Sequence, residues 1–167
     1  MADKKPILIF GESANDQYSY VCSEKLRIAP EAPCLVAQVT HTVESIGMAG
    51  NSARNAKALR YPHKLITNEN WREITKRRFI CTSSNQMLFR WDSQDKVDRI
   101  TGLEDVVWDE FAAVIISDYC KGFLHDDDIQ YISEQHPLTF IDTKRQLNEK
   151  FNKVAFIKLN EVEYLSQ

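Results

Sequence analysis

Four short apolar runs, separated by polar stretches, constrain the fold of this chain more than any other feature. They lie at Ile7–Phe10 and at residues 112–116, 138–141 and 154–157. Each run has the length of a buried strand, and the last three are separated by polar intervals long enough for a helix. Such a rhythm is typical of a parallel sheet. The sequence therefore predicts an α/β fold in which a mostly parallel sheet is flanked by helices.

Two of the polar intervals have the features of helices. Residues 51–59 place small or apolar groups along one face, and Asn51 is predicted to cap this helix. Residues 125–135 are predicted to form a second helix, which opens with three consecutive aspartates. Negative charge is favoured in the first turn by the helix dipole, so we interpret the acidic run as helix-start chemistry.

Two further segments do not fit the parallel rhythm. Residues 34–43 and 76–91 are rich in β-branched and aromatic side chains, and the second segment is interrupted at residues 83–85 by Ser, Ser and Asn. An interruption of this kind predicts a hairpin. We expect the two segments to form a small sheet that projects from the core.

The composition favours one folded domain over residues 1–167 and argues against several partners. The chain is 43% hydrophobic and 27% charged with a net charge of -3, so nucleic acid is not an expected partner. No apolar run reaches the about 20 residues that cross a bilayer, so no membrane association is expected. Four scattered cysteines without a C-x-x-C pair, and a start without an apolar targeting stretch, predict a cytoplasmic setting.

Polar residues follow all four predicted strands at the point where each ends. In an open parallel sheet, ligands bind beyond the carboxyl ends of the strands. Strand ends are also polar for an ordinary reason, since loops face solvent and Asp and Asn cap helices. The residues alone do not decide between two interpretations. They either line a pocket for a polyol or a phosphate, or they are ordinary polar loop and helix-cap residues. The groups concerned are Gly11, Asn15, Asp16, Ser117, Asp118, Lys121, Asp142, Lys144, Asn160 and Glu163.

Common phosphate and metal motifs do not occur in the sequence. It contains no G-x-x-x-x-G-K-[ST], G-x-G-x-x-G or G-x-S-x-G motif. The four histidines have no ligand spacing with one another or with the cysteines, so a zinc site is not expected. The one glycine-rich entry into a predicted helix lies at residues 47–51.

Six short motifs follow one another along the chain. They are R-I-A-P-E-A-P at 27–33, G-M-A-G-N at 47–51, N-Q-M-L-F-R-W-D at 85–92, S-D-Y-C-K-G at 117–122, D-T-K at 142–144 and N-E-V-E at 160–163. Their sequences and their order resemble those of the ribokinase-like (PfkB) carbohydrate kinases, and most closely the heptose 7-phosphate kinase domains of that family. The resemblance implies a ribokinase-like, Rossmann-like core into which a small β lid is inserted at about residues 17–43 and 75–92.

The same resemblance implies a set of site residues. Asn160 and Glu163 match the N-x-x-E motif, which the family uses to handle Mg²⁺ and phosphate. The residues expected to bind a sugar phosphate are Asp16, Gly47, Ala49, Gly50, Asn51, Asn55, Arg90, Asp118, Lys121 and Lys144.

Four departures from the family pattern shape the functional expectation. Glu12 replaces the aspartate of an opening G-D, and Met48 replaces a glycine. Residues 61–72 are too few for the helix and strand that normally precede the second lid segment. The sequence also stops before the G-x-G-D region that supplies the general base and anion hole. We therefore expect the C-terminal half of the family fold to be missing, and we identify no catalytic residue.

These observations leave three functional hypotheses. The first is a truncated kinase homologue that binds a heptose-phosphate-like sugar phosphate or a nucleotide sugar without efficient phosphoryl transfer on its own. The second is a split ATP-dependent carbohydrate kinase, completed by a dimer partner or a second chain, which alone would require ATP and Mg²⁺. The third is a non-catalytic interaction module that uses the lid. The resemblance further implies a homodimer formed through the lid, or pairing with a full-length homologue.

Overall fold

The computed structural model describes residues 4–167 as two main sheets with three α-helices. Short 3₁₀ turns occupy Ser23–Lys25, Glu69–Arg72, Leu103–Asp105, Trp108–Glu110 and Glu149–Phe151. The strands and helices are β1 Ile7–Phe10, β2 Ser13–Val21, β3 Arg27–Ile28, β4 Leu35–Val36, β5 Val39–Met48, α1 Ala49–Ala58, β6 His63–Ile66, β7 Thr75–Cys81, β8 Met87–Asp92, β9 Ala113–Asp118, α2 Asp126–Gln135, β10 Thr139–Thr143, β11 Phe156–Lys158 and α3 Glu161–Leu165.

The core sheet has five strands in the order β11-β10-β9-β1-β6, and all of its pairings are parallel. The predicted parallel sheet is confirmed, with strand boundaries shifted by one or two residues. One face, which includes Leu8 and Ile116, packs against Ile129 and Ile132 of α2. On the other face, Ile9 and neighbouring apolar side chains pack against the alanines of α1. Because both faces are covered, the central strands are apolar throughout.

Strand β6 corrects one expectation. Residues 61–72 were predicted to be too short to hold a helix and a strand, yet His63–Ile66 pairs in parallel with β1 at the edge of the core sheet. The interval omits a long helix, since the turn Glu69–Arg72 leads directly into the second sheet. A four-residue edge strand is only half-buried and carries little apolar signal, which is why the sequence did not reveal it.

The second sheet, here called the lid sheet, has the order β5-β2-β7-β8. Strands β7 and β8 form the predicted hairpin, and Asn85 in its turn has a left-handed φ of 55°. The least expected strand is β2, which pairs antiparallel with β5 and parallel with β7. Its sequence, S-A-N-D-Q-Y-S-Y-V, alternates little in hydrophobicity although most of its residues are buried. For this reason β2 was not predicted as a strand from the sequence.

Helix α1 begins two residues earlier than predicted, so the expectation that Asn51 caps it is wrong. The N-cap is Met48, which has an unusual backbone conformation (φ 56°, ψ -125°) and no side-chain capping bond. The helix is instead held by the backbone, because the Ala49 N–H donates to the Glu12 carbonyl at 2.9 Å. This bond fixes the start of α1 against the end of β1.

Helix α2 begins at the acidic run, as predicted. The Asp128 carboxylate accepts a hydrogen bond of 2.7 Å from the backbone N–H of His125, the N-cap residue. Asp126 and Asp127 pair with Arg145 and Lys150. Within the described residues 4–167, no helix combines the length and apolar character needed to cross a membrane.

Candidate functional site

The candidate site lies where the loops after the core strands meet the lid sheet, a region here called the cleft. Gly11 follows β1 at the point where that strand approaches β9. A Cβ atom at Gly11 would lie 2.0 Å from the Ser117 carbonyl oxygen. The backbone φ of Gly11, 147°, also favours glycine at this position. The close approach brings the loop after β9 and the start of α1 to the same edge of the core sheet.

Glu12 organises this edge. Its side chain is fully buried, and its two carboxylate oxygens accept hydrogen bonds from the backbone N–H groups of Tyr119 (2.9 Å) and Lys121 (2.8 Å). Between them, Cys120 adopts a left-handed φ of 57°. Carboxylate bonds to backbone N–H groups are among the stronger hydrogen bonds in proteins. Glu12 therefore fixes the S-D-Y-C-K-G loop, a role that the sequence analysis did not assign to it.

Asp16 lies on the lid-sheet side of the cleft. It is 6% exposed, and its Oδ1 accepts a 2.7 Å hydrogen bond from the guanidinium of Arg78. Gly47 on β5 leaves room for this carboxylate, because a Cβ atom there would lie 2.2 Å from Asp16 Oδ2. Two of the predicted site residues are therefore brought together, and glycine at position 47 has a steric explanation.

Helix α1 separates the predicted residues that it carries. Ala49 and Gly50 are buried at the start of the helix, whereas Asn51 and Asn55 are exposed on its surface. The Asn51 side chain contacts Arg54 of the same helix at 3.5 Å rather than another predicted site residue. Asn15, named for its place near a strand end, contacts Glu44 on the neighbouring lid strand.

Arg90 is an exposed residue of β8 in the lid sheet. Its guanidinium makes two 2.8 Å hydrogen bonds to the carboxylate of Asp92. These bonds raise the pKa of Arg90, and the negative charges of Asp92, Asp16 and Asp95 add to the effect, although partial burial opposes it. Arg90 is thus close enough to Asp16 for their charges to interact across the lid sheet.

Asp118 is not free to act on a ligand. Its side chain is fully buried, and Oδ2 accepts hydrogen bonds of 2.7 Å from both Arg145 Nε and Thr143 Oγ1. Arg145 also binds Asp126 at 3.0 Å and contacts the Leu124 carbonyl. Arg145 was not among the predicted site residues, although its position directly after the D-T-K motif was a signal.

A shallow polar pocket of about 180 Å³ lies beyond β10 and β11. Within it, Lys158 binds Asp142 at 2.7 Å, and the Lys144 ammonium lies 5.6 Å from the centre of the Tyr119 ring. Burial is the main cause of a raised pKa of Tyr119, and the Asp142 charge adds to it. The pocket lining comprises Asp118, Tyr119, Asp142, Thr143, Lys144, Lys158, Asn160 and Glu163.

The two residues predicted to handle Mg²⁺ or phosphate serve helix α3 in this structure. The Glu163 N–H donates to Asn160 Oδ1 at 2.9 Å, and the Asn160 N–H donates to Glu163 Oε2 at 2.8 Å. This reciprocal arrangement is a capping box. Among residues 4–167, no three His, Cys, Asp or Glu side chains form a group suited to a metal ion. Both side chains are thus engaged at the start of α3, and their role toward Mg²⁺ or phosphate stays a prediction.

Comparison with solved structures identifies the class of fold. A carbohydrate kinase from Agrobacterium tumefaciens superposes with a TM-score of 0.61 at 12% identity, over 95% of this chain and 62% of that one. Arabidopsis thaliana ribokinase complexed with ribose and ATP gives a TM-score of 0.59 at 11% identity. That superposition covers 96% of this chain and 62% of the ribokinase. The chain therefore has the ribokinase-like fold of carbohydrate kinases, as its motifs predicted.

In sequence, the chain is similar to bifunctional proteins HldE. That of a Nitratiruptor species is 28% identical in an alignment of 193 positions, which covers 96% of this chain and 41% of the relative. That of Haemophilus influenzae (strain Rd) is 28% identical in an alignment of 192 positions, which covers 95% of this chain and 39% of the relative. The chain thus spans about two fifths of the length of these relatives. No protein-family model matches it.

Proposed function

We propose that this chain binds a sugar phosphate in the cleft between the core sheet and the lid sheet, without efficient phosphoryl transfer by these residues alone. The observation that carries the proposal is the buried Asp16 carboxylate, which Gly47 leaves room for beside the cations of the lid sheet. A carboxylate is a suitable acceptor for sugar hydroxyls, and nearby Arg and Lys side chains suit a phosphate.

The engaged carboxylates support a binding role rather than catalysis. A general base must lie within hydrogen-bond reach of the hydroxyl and be free to accept its proton. Asp118 is instead enclosed by Arg145 and Thr143, and Asp142 is paired with Lys158. Neither is placed to accept a proton from a sugar hydroxyl without first losing a cationic or hydroxyl partner.

Heptose 7-phosphate and ADP-heptose are the first ligands to test. The motifs resemble those of heptose 7-phosphate kinases, and the chain is similar in sequence to HldE. A further structural neighbour, Escherichia coli phosphofructokinase-2, was solved in complex with fructose-6-phosphate and has a TM-score of 0.56 with this chain. A phosphorylated sugar is therefore the ligand class that the proposal commits to.

Calorimetric titration of paired variants tests the proposed pocket. Asp16→Asn removes a carboxylate that faces Arg78, and we expect it to weaken sugar-phosphate binding by about 1–3 kcal/mol. Asp109→Asn is the control, because exposed Asp109 precedes the amino end of β9, opposite the cleft. Equal affinities for the two variants would refute the assignment of Asp16.

A second candidate function, a split kinase completed by another chain, is favoured by the polar pocket beyond β10 and β11. Its two lysines, Lys144 and Lys158, are exposed and face a shallow opening that a partner or nucleotide could cover. This alternative requires ATP-dependent phosphorylation that appears only when the second chain is added. An assay of ADP release, with and without a full-length homologue, distinguishes the split kinase from the binding role.

We also propose that the lid sheet mediates a homodimer or binds a homologous partner, in a cytoplasmic setting. Its exposed apolar side chains support this, since large apolar patches on soluble domains often mark interaction sites. The four cysteines are free thiols, which suits a reducing compartment. The exposed apolar side chains of the lid sheet and its adjoining small strands are Ile28, Leu35, Val39, Val43, Met87, Leu88, Phe89 and Trp91.

A further inference from the structure

One carboxylate links the lid sheet to the core. Asp95 lies in the connector that follows β8, outside any strand or helix. Its carboxylate binds Lys76 of β7 through both oxygens, at 2.9 and 3.1 Å, and binds Lys121 of the loop after β9 at 2.9 Å. Two ammonium groups, one from the lid sheet and one from a core loop, therefore converge on one side chain.

The link belongs to a wider network of charges. Lys76 also lies 3.7 Å from Asp92, which in turn pairs with Arg90. Asp16 and Glu12 add negative charge near Arg90 and Lys121. Lys76 is mostly buried, with 10% of its side chain exposed, so its charge requires a partner. If Asp95 moved away, Lys76 would retain Asp92, whereas Lys121 would lose the salt bridge that it makes in this structure.

We infer that Lys76 and Lys121 form a binding site for the phosphate group of the ligand, and that Asp95 occupies this site when no ligand is bound. The inference rests on the proposed function and adds two things to it. Lys76 becomes a phosphate-binding residue, which the motifs did not indicate. Asp95 becomes an internal competitor that the ligand must displace.

A phosphate monoester suits this site better than the carboxylate that fills it. Near neutral pH a phosphate monoester carries about 1.5 to 2 negative charges and three acceptor oxygens. It can therefore accept hydrogen bonds from both lysines and still offer a third oxygen and more negative charge than the Asp95 carboxylate that contacts them now. Because Asp95 lies in a connector, its side chain can leave without breaking a strand pairing.

Displacement of Asp95 has a consequence for the two sheets. In the structure, the same carboxylate holds the lid strand β7 to the core loop that Glu12 fixes. A phosphate group that replaces it would take over this bridging position. The lid sheet would then be connected to the core through the ligand itself, so that phosphate binding and the placement of the lid are coupled.

Titration with inorganic phosphate, followed by NMR or calorimetry, tests the inference without any sugar. Asp95→Asn removes the competing charge. We expect this variant to bind phosphate about tenfold tighter than the natural protein, since hydrogen bonds between charged groups are stronger than those between neutral groups. Asp98→Asn is the matched control, because it makes the same charge change at an exposed residue of the same connector. We expect the control to bind phosphate as the natural sequence does.

A second pair of variants tests the cation side. When Lys121→Gln is added to the Asp95→Asn variant, we expect phosphate binding at least about tenfold weaker than that of Asp95→Asn alone. Lys150→Gln, which removes a surface lysine paired with Asp127, should leave that binding unchanged. Lys121 is 41% exposed, so its replacement is compatible with folding, and a thermal melt confirms that.

The outcomes separate this inference from the proposed function. Tighter phosphate binding by Asp95→Asn than by Asp98→Asn supports the site even if no sugar phosphate binds, in which case the proposed function fails alone. Equal phosphate affinity of these two variants overturns the site, even if the natural protein binds a sugar phosphate. An unchanged affinity on replacing Lys121 overturns it as well.

Discussion

At the scale of single residues, Met48 stands at a backbone position that favours glycine. Its φ of 56° and ψ of -125° lie outside the regions that side chains other than glycine usually adopt. The side chain is nevertheless buried against Ala14 and Ile74, so packing offsets the strain. Met48 replaces a glycine of the family motif, and in the structure it is the N-cap residue of α1.

A pair of substitutions at this position isolates the strain. Met48→Gly and Met48→Ala both remove the buried side chain, but only glycine relaxes the backbone. We expect the glycine variant to be more stable than the alanine variant by about 1–3 kcal/mol, which reverses the usual order of these residues. Urea unfolding measures the difference. An alanine variant as stable as the glycine variant would show that the backbone at Met48 is not strained.

The residues of the site were predictable where their role depends on a short motif. Asp16 and Gly47 meet in the structure, and the motif resemblance had named both. Glu12, Arg145 and Asp95 were missed as partners because their contacts join distant parts of the chain. A single sequence carries no signal for which carboxylate a given arginine or lysine will meet.

At the scale of secondary-structure elements, two cations near the ends of neighbouring core strands differ sharply in environment. Arg145 follows β10 and pairs with a fully buried Asp118, whereas Lys158 ends β11 and pairs with Asp142, which is 51% exposed. Removing the partner of a buried charge costs much more than breaking a surface pair.

This contrast predicts that replacing each of the two cations by glutamine has unequal effects on stability. Arg145→Gln should lower the free energy of unfolding by about 3–5 kcal/mol, because Asp118 loses its main cationic partner. Lys158→Gln should lower it by at most about 1 kcal/mol. Chemical denaturation of the two variants checks the difference. Similar losses would mean that Asp118 does not depend on Arg145.

The elements themselves were predictable to unequal degrees. The central core strands were found because burial on both faces demands apolar runs, as in Ile7–Phe10. Strand β2 was missed because its buried positions hold Ser, Asp and Gln, whose partners lie on other strands. The start of α1 was misplaced because a backbone bond from Ala49 to Glu12 replaces the side-chain cap. Tertiary contacts, rather than local propensity, decided these cases.

The link between the two sheets predicts a dependence on pH. Burial alone would raise the pKa of Asp95, but hydrogen bonds from Lys76 and Lys121 outweigh it and hold that pKa below its ordinary value. The folded state therefore binds fewer protons than the unfolded state near pH 4, and stability rises with pH there. The contribution of Asp95 is complete above its unfolded pKa and is lost as the pH falls through its folded pKa.

Melting curves of the natural protein and of Asp95→Asn across acidic pH measure this contribution. We expect the natural protein to lose more stability than the variant as the pH falls below the ordinary pKa of an aspartate. Asp98→Asn should follow the natural protein, because it leaves the Asp95 link to both lysines in place. Parallel curves for all three proteins would show that the link contributes no net stability.

At the scale of the whole molecule, the lid sheet leaves large apolar side chains in contact with solvent. Phe89 is 59% exposed and Met87 is 56% exposed on β8. Core burial does not account for them, and the proposed homodimer would cover them. We expect light scattering to give a dimer for the natural sequence and a monomer for Phe89→Asp. Leu165→Asp, at a 74% exposed position of α3, is the control and should remain dimeric. A natural protein that is monomeric at all concentrations would contradict the proposed lid interface.

Both sheets contribute to the proposed function, in which the cleft between them binds a sugar phosphate without transferring a phosphoryl group. The most direct test is calorimetric titration of the purified chain with D-glycero-D-manno-heptose 7-phosphate, with ADP release measured on the same sample in ATP and Mg²⁺. We predict saturable binding of the sugar phosphate and no ADP release above background. Absence of binding, or ADP release by the chain alone, would contradict the claim.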